Sequence, residues 1–180
     1  FMVETHLNNL DDEMINLLAN AGLELVYVGI ESASHVVLKD MQRFTIEHDE
    51  QYKIIKKCEE MGIKVKTMFI IGNPEDTEQS VMETIKYSKH LPSLYSQYSV
   101  FTPYPGTPIY EDYKNLIYEK KLENFDQYQL TFKHNYLSES KIEELKSKAY
   151  FKFYFNFSKI IETLKYLIIS KYGKKIKRLG

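Results

Sequence analysis

Up to Ile109 the apolar positions follow two alternating rhythms. Short runs rich in β-branched and aromatic side chains read as strands: Phe1 to Thr5, Leu25 to Ile30, Lys64 to Ile71 and Tyr95 to Phe101. The stretches between them carry helical spacing and helix signals. Asp11 or Asp12 caps a helix to about Ala21, with Met14, Ile15, Leu17 and Leu18 as its apolar face. Val36 to Met41 is a short helix. Thr45 caps a helix from Ile46 to Met61, and Asp76 or Thr77 caps one from Glu78 to about His90. Gly22 and Gly62 each end a helix directly before a strand. Strands alternating with helices of this length mean βαβ units and a parallel sheet.

After Ile109 the alternation stops. Tyr110 to Gln129 reads as a short helix with loops, and Ser138 caps a long helical region reaching toward Tyr172. Its late part carries an apolar stripe of Ile160, Ile161, Leu164, Leu167 and Ile168, while the alternating Phe151, Phe153, Phe155 and Phe157 mark a break between two helices. The expected organisation is an α/β unit over 1–130 and a helical extension with a basic tail over 131–180.

Hydrophobic residues make up 43% of the chain, enough for a real core. The net charge of −1 gives no global case for nucleic acid. Cys58 is the only cysteine, which rules out an internal disulfide or a cysteine-only metal site and is compatible with a reducing cytoplasm. No apolar run reaches the length of a membrane span, and the start is not a signal peptide. The opening on Phe1, already inside a strand-like stretch, reads as the loss of an N-terminal part of a larger protein. The tail bears Lys171, Lys174, Lys175, Lys177 and Arg178 behind an amphipathic helix. Peripheral contact with an anionic membrane surface is one reading, and a solvated tail is the plainer one.

Candidate chemistry collects around strand ends, where parallel α/β folds place ligands. The stretch GIKVKTMFIIGNPEDT, from Gly62 to Thr77, gives a buried strand, a Gly72-Asn73-Pro74 stop and a capped helix. Glu4 and Glu31 end the first two strands, Arg43 lies in the loop after the second, and Glu75 and Asp76 follow the third. A carboxylate at such a place holds a sugar diol or an ammonium, and an arginine takes a carboxylate bidentately. The apolar run Met68 to Ile70 offers a shelf for a flat purine. The plainer reading is that each acid caps a helix or pairs with a lysine, and capping is favoured for Glu75 and Asp76. Cys58 reads as a structural thiol beside Lys56 and Lys57. His6, His35, His48, His90 and His134 show no metal-ligand spacing, and no Walker, dinucleotide or nucleophile-elbow motif is present.

The order AGLELVYVGIES, Met41-Gln42-Arg43, GIKVKTMFIIGNPEDT and FTPYPGTPIYE resembles the C-terminal half of a radical SAM domain, from about Glu4 to Glu111. It is most similar to the cobalamin-binding subgroup, which includes methyltransferases and an anaerobic porphyrin-ring cyclase. Leu137-Ser138 and YFKFYFNFSKIIETL also resemble that subgroup's helical tail. The resemblance implies an incomplete (β/α)6 TIM-like barrel, of which this chain supplies the later units. It implies that Glu4 holds the ammonium of S-adenosylmethionine (SAM), Glu31 lies near its ribose and Arg43 takes its carboxylate. It places Met68, Ile70 and Gly72 beside adenine and ribose, with Glu75 completing the motif. Met68 stands where the family motif has glycine. The Tyr104-Pro105-Gly106-Thr107 turn would frame the substrate mouth. The cluster motif CxxxCxxC is absent, so the ligands of a [4Fe–4S] cluster are expected upstream of this chain, with a cobalamin domain possible there too.

The parent protein is then expected to cleave SAM reductively to a 5′-deoxyadenosyl radical, for cobalamin-dependent methylation or ring formation on a small molecule or lipid. This chain alone would be inactive. Its partners would be the missing N-terminal part and an electron donor such as flavodoxin or ferredoxin. The alternatives are a SAM-binding scaffold without catalysis and an aldolase-like barrel. The latter wants a lysine at a strand end, whereas Lys64 and Lys66 lie at the start of a strand and within it.

Overall fold

The computed structural model describes residues 1–43, 45–157, 159–161, 163, 164, 166 and 168. Four strands form one parallel sheet in chain order: β1 (Met2–Thr5), β2 (Leu25–Glu31), β3 (Lys64–Ile71) and β4 (Tyr95–Val100). The connections carry α1 (Asp12–Asn20), α2 (His35–Asp40), α3 (His48–Glu60) and α4 (Glu78–His90). A short α5 (Pro108–Tyr113) and a long α6 (Glu139–Tyr154) follow β4.

Burial alternates along the strands. Val26, Val28 and Ile30 of β2, Val65, Phe69 and Ile71 of β3, and Tyr98 and Val100 of β4 are buried against the helices. Their neighbours Tyr27, Lys66, Met68, Ile70, Gln97 and Ser99 point the other way and are half-exposed. The run from Lys64 to Ile71 is therefore buried on one face, where the sequence reading took the whole strand as buried; its period of two, with Lys64 and Lys66 in phase, is the reason. Sequential parallel strands with helices on one face are an arc of an incomplete (β/α) barrel, and the uncovered face is its inner wall.

Most elements fall where the sequence placed them. Asp11 caps α1, Ser34 caps α2, and Thr77 rather than Asp76 caps α4, in a reciprocal box with Ser80. Thr45 does not cap α3. That helix starts at His48 behind Glu47, and the Thr45 hydroxyl instead accepts a hydrogen bond from Gln51 Nε2 at 2.7 Å. The long C-terminal region is broken: α6 ends at Tyr154, and helical turns resume at Phe157. Leu167 of the expected stripe and the whole basic tail from Lys171 lie outside the described residues. Among the described residues no helix is long and apolar enough to cross a membrane.

β4 is an edge strand, and α6 closes that edge through tyrosine hydroxyls. Tyr154 Oη accepts the Ser96 N–H at 3.1 Å and donates to the Ser96 carbonyl at 2.8 Å. Tyr150 Oη does the same for Tyr98, at 3.2 and 3.4 Å. The next outward N–H, of Val100, donates to Gln127 O at 2.7 Å. Backbone groups that would template another strand are thus occupied one after another. Ile142, Leu145, Ala149 and Phe153 of α6 join the same core as the sheet.

Removing either hydroxyl leaves a half-buried N–H and C=O unpaired. Tyr150→Phe and Tyr154→Phe are each expected to cost about 1 kcal/mol in urea unfolding. The double variant is expected to self-associate in sedimentation. A double variant as stable and as monodisperse as the parent would remove the edge-closing role.

Candidate functional site at the strand ends

The end of β2 carries an unusual backbone. Glu31 has φ +66°, and the pairing with β3 slips between Gly29 and Glu31. This bulge turns the Glu31 carboxylate back over Gly29. A Cβ at Gly29 would lie 2.6 Å from Glu31 Oε1, so only glycine accommodates the fold-back. Arg43, from the loop after α2, reaches the same oxygen with Nη2 at 3.0 Å. Its Nη1 donates to Nε2 of His6 at 3.1 Å, which places the imidazole proton on Nδ1.

Burial pushes the Glu31 carboxyl above its ordinary value of 4.5, the Arg43 charge pulls it back, protonation of His6 would pull it back further, and Glu4 pushes it up again. Glu4, His6, Glu31 and Arg43 are thus brought into one electrostatic group. The sequence reading weighed His6 only as a metal ligand and set it aside for want of a paired spacing. Its only signal there was a position two residues beyond Glu4.

The end of β3 is held by a buried carboxylate. Asp76 Oδ2 accepts the backbone N–H groups of Gly72 and Asn73, both at 3.0 Å, and Asn73 Nδ2 at 3.1 Å. Its Oδ1 accepts the Ser80 hydroxyl at 2.6 Å. Burial still raises this carboxyl above the ordinary aspartate range, against the lowering by Ser80, Asn73 and Gly72. His134 pins the turn from the other side: its Nε2 donates to Asn73 O at 2.7 Å, and its Nδ1 accepts from Tyr136 and Leu137 N–H, both at 3.1 Å. Gly72 has φ +79°, and a Cβ there would stand 3.0 Å from Ile142 of α6.

Met68 and Ile70 lie on the inner wall of β3, half-exposed, and Glu75 is half-exposed on the turn above them. Glu4 is exposed on β1, in register with Tyr27. Tyr104, Pro105 and Gly106 are exposed beyond β4, and Thr107 caps α5 while donating to Tyr104 O at 2.6 Å. Cys58 is buried under α3 and its thiol is pushed up to about 11, chiefly by burial. Among the described residues no three His, Cys, Asp or Glu side chains could hold a metal ion together. With Cys58 as the one cysteine of the sequence, the donor set does not fit an iron–sulfur cluster held by this chain's own thiolates.

Asp76→Ala strands two buried backbone N–H groups and is expected to cost about 3 kcal/mol in denaturant unfolding. Asp76→Asn keeps an acceptor for those N–H groups and is expected to cost less; equal losses in the two variants would rule out the carboxyl oxygen as the staple. For Glu31 the sign of the pH effect follows from the raised pKa. The folded state holds the proton more tightly than the unfolded chain, so ionisation weakens the fold as pH rises past 4.5. Glu31→Gln is expected to gain stability relative to the parent through that window and to converge with it below. Parallel stability curves for the two proteins from pH 3 to about 8 would contradict this.

Residues 1–88 match the family model described as the Radical SAM superfamily. An uncharacterized methyltransferase of Pyrococcus horikoshii is 30% identical over 152 residues, covering 83% of this chain and 33% of the relative. The bacteriochlorophyllide d C-12(1)-methyltransferase of Chlorobaculum tepidum is 26% identical, over 73% of this chain and 29% of its own length. The chain thus spans about a third of the length of these relatives. Among solved structures, the radical S-adenosylmethionine methyltransferase TsrM of Kitasatospora setae, with cobalamin and a [4Fe–4S] cluster bound, superposes with TM-score 0.57 at 21% identity, over 63% of this chain and 23% of that one. The parallel arc agrees with the sequence matches: residues 1–88 of this chain belong to the radical SAM superfamily.

Proposed function

We propose that this chain supplies the SAM-binding strand ends and the substrate-side wall of a radical SAM enzyme, in a longer protein that performs a cobalamin-dependent methylation. The observation that carries the reading is the Glu31–Arg43 pair folded over Gly29 at the mouth of the open inner wall. The methyltransferase relatives and the cobalamin-loaded TsrM support the reaction class. The length of the relatives supports a longer parent, which would bring the cluster cysteines that this chain lacks.

The residues present fit SAM. The exposed carboxylate of Glu4 suits its ammonium, Arg43 its carboxylate, and Glu31 its ribose hydroxyls. Met68 and Ile70 offer apolar surface to the adenine, flanked by Gly72 and Glu75. The Glu31 carboxylate already holds Arg43, so each orients the other before a ligand arrives. Held beside a [4Fe–4S] cluster, SAM supplies the radical or methyl chemistry of the family. This chain's own part is to bind, orient and shield. The Tyr104-Pro105-Gly106-Thr107 turn frames the substrate entry above β4. The substrate is a small molecule or lipid, and electrons come from a flavodoxin- or ferredoxin-type donor.

In the full-length protein, Glu31→Ala and Arg43→Ala are each expected to weaken SAM binding about tenfold in calorimetric titration, with circular dichroism unchanged. Gly29→Ala is expected to do the same by displacing the Glu31 carboxylate. Unchanged affinity in all three variants would sink the site assignment. A full-length protein that binds SAM but releases no 5′-deoxyadenosine on reduction would favour the scaffold reading.

A further inference from the structure

Lys64 and Lys66 stand two residues apart on the inner wall of β3, and among the described residues only Lys64 has an acid. Lys64 Nζ is 2.9 Å from Glu59 Oε2. Among the described residues Lys66 forms no ion pair and no side-chain hydrogen bond. Its ammonium lies over the ring of Tyr27, 5.1 Å from the centroid. Tyr27 of β2 and Tyr95 of β4 are its register partners on either side. A half-buried cation in a central strand, flanked by rings, is costly to desolvate without a counter-ion.

This cation faces a cavity of about 530 Å³ between the inner wall and the loop after α5. Its lining is aromatic and neutral-polar: Tyr27, Tyr95 and Tyr128 contribute aromatic rings, and Gln97 and Ser99 contribute hydrogen-bonding groups. The one carboxylate in the lining, Asp126, is engaged elsewhere. Its Oδ1 accepts the Tyr128 N–H at 2.9 Å, and it interacts electrostatically with Lys146, whose ammonium lies over the Tyr128 ring at 4.9 Å. Tyr150 and Tyr154, also in the lining, spend their hydroxyls on the β4 backbone.

We infer that this cavity takes a planar substrate bearing a carboxylate, with Lys66 as the anion anchor and the tyrosine rings as stacking surfaces. The inference rests on the reading above that the inner wall faces the substrate, and it narrows that substrate to a flat organic acid. Lys66 lies one row below Met68 on the same face of the same strand, so the acid would be held deeper in the arc than the SAM-binding strand ends. The body of the molecule would then extend upward past Gln97 and Ser99 toward the mouth.

Fluorescence titration of the full-length protein with 1-pyrenebutyrate and with the neutral 1-pyrenebutanol tests the idea. The acid is expected to bind about tenfold more tightly than the alcohol, as one charge-assisted contact gives. Lys66→Met is expected to erase the difference, while Lys66→Arg and Lys64→Met retain it. Equal binding of acid and alcohol by the parent overturns the proposal without recourse to any variant. A preference that survives Lys66→Met in a folded protein overturns it as well. An acid preference that depends on Lys66 supports the proposal even where Glu31→Ala and Arg43→Ala leave SAM affinity untouched, so the two readings fail separately.

Discussion

A parallel sheet covered by helices on one side has to close on itself or find another cover for the other side. That constraint governs this chain. β3 buries Val65, Thr67, Phe69 and Ile71 against the helices and turns Lys64, Lys66, Met68 and Ile70 inward. The inner wall is neither a packed core nor an ordinary surface. It mixes two lysines, a methionine, an isoleucine, a glutamine and tyrosine rings. The β4 edge of the arc is sealed by Tyr150 and Tyr154, so the wall has one finished side.

Two buried carboxylates at the strand ends show how similar groups serve different ends. Asp76 has its lone pairs filled by three N–H groups and a hydroxyl, all from within eight residues of Gly72. Such a carboxylate fixes a backbone and has little left to offer a ligand. Glu31 has a single side-chain partner among the described residues, Arg43, and that arginine is 41% exposed. Its strained backbone at φ +66° is held by the bulge. Strain of this kind persists only where the surrounding structure over-determines it, here the bulge and the Arg43 contact.

The helix and strand order was legible because its signals are local. Alternating apolar residues, Asp11, Thr77, Ser138 and the pre-strand glycines act within a few residues of themselves. Glu31 and Arg43 were legible as separate candidates at a strand end and a following loop, and the bulge that joins them was not. It depends on Gly29 accepting a carboxylate from two residues onward, a contact that spacing does not encode. Thr45 misled because a good capping residue was drawn instead to the Gln51 amide. His6 was set aside because a lone histidine in a loop carries no metal-ligand spacing, and its contact with Arg43 exists only in three dimensions. Lys66 was visible only as a lysine unsuited to aldolase chemistry, since its lack of an acid partner is a property of three dimensions.

Contacts of high sequence separation tie the strand ends to the region beyond Leu130. His134 donates to Asn73 across 61 positions of the chain, and it does so in a fixed tautomer because two backbone N–H groups occupy its other nitrogen. Ile142 of α6 packs where a Gly72 side chain would otherwise stand. The turn at the end of β3 is therefore held by Asp76 from its own helix and by His134 and Ile142 from the C-terminal segment. The Asp76 carboxylate orients the two N–H groups, the Asp76 N–H donates to the Asn73 carbonyl at 2.8 Å, and His134 brings that carbonyl a second donor from across the chain. A loop with both its donors and its acceptor engaged has little freedom left, and it presents Glu75 beside the inner wall from a backbone already fixed.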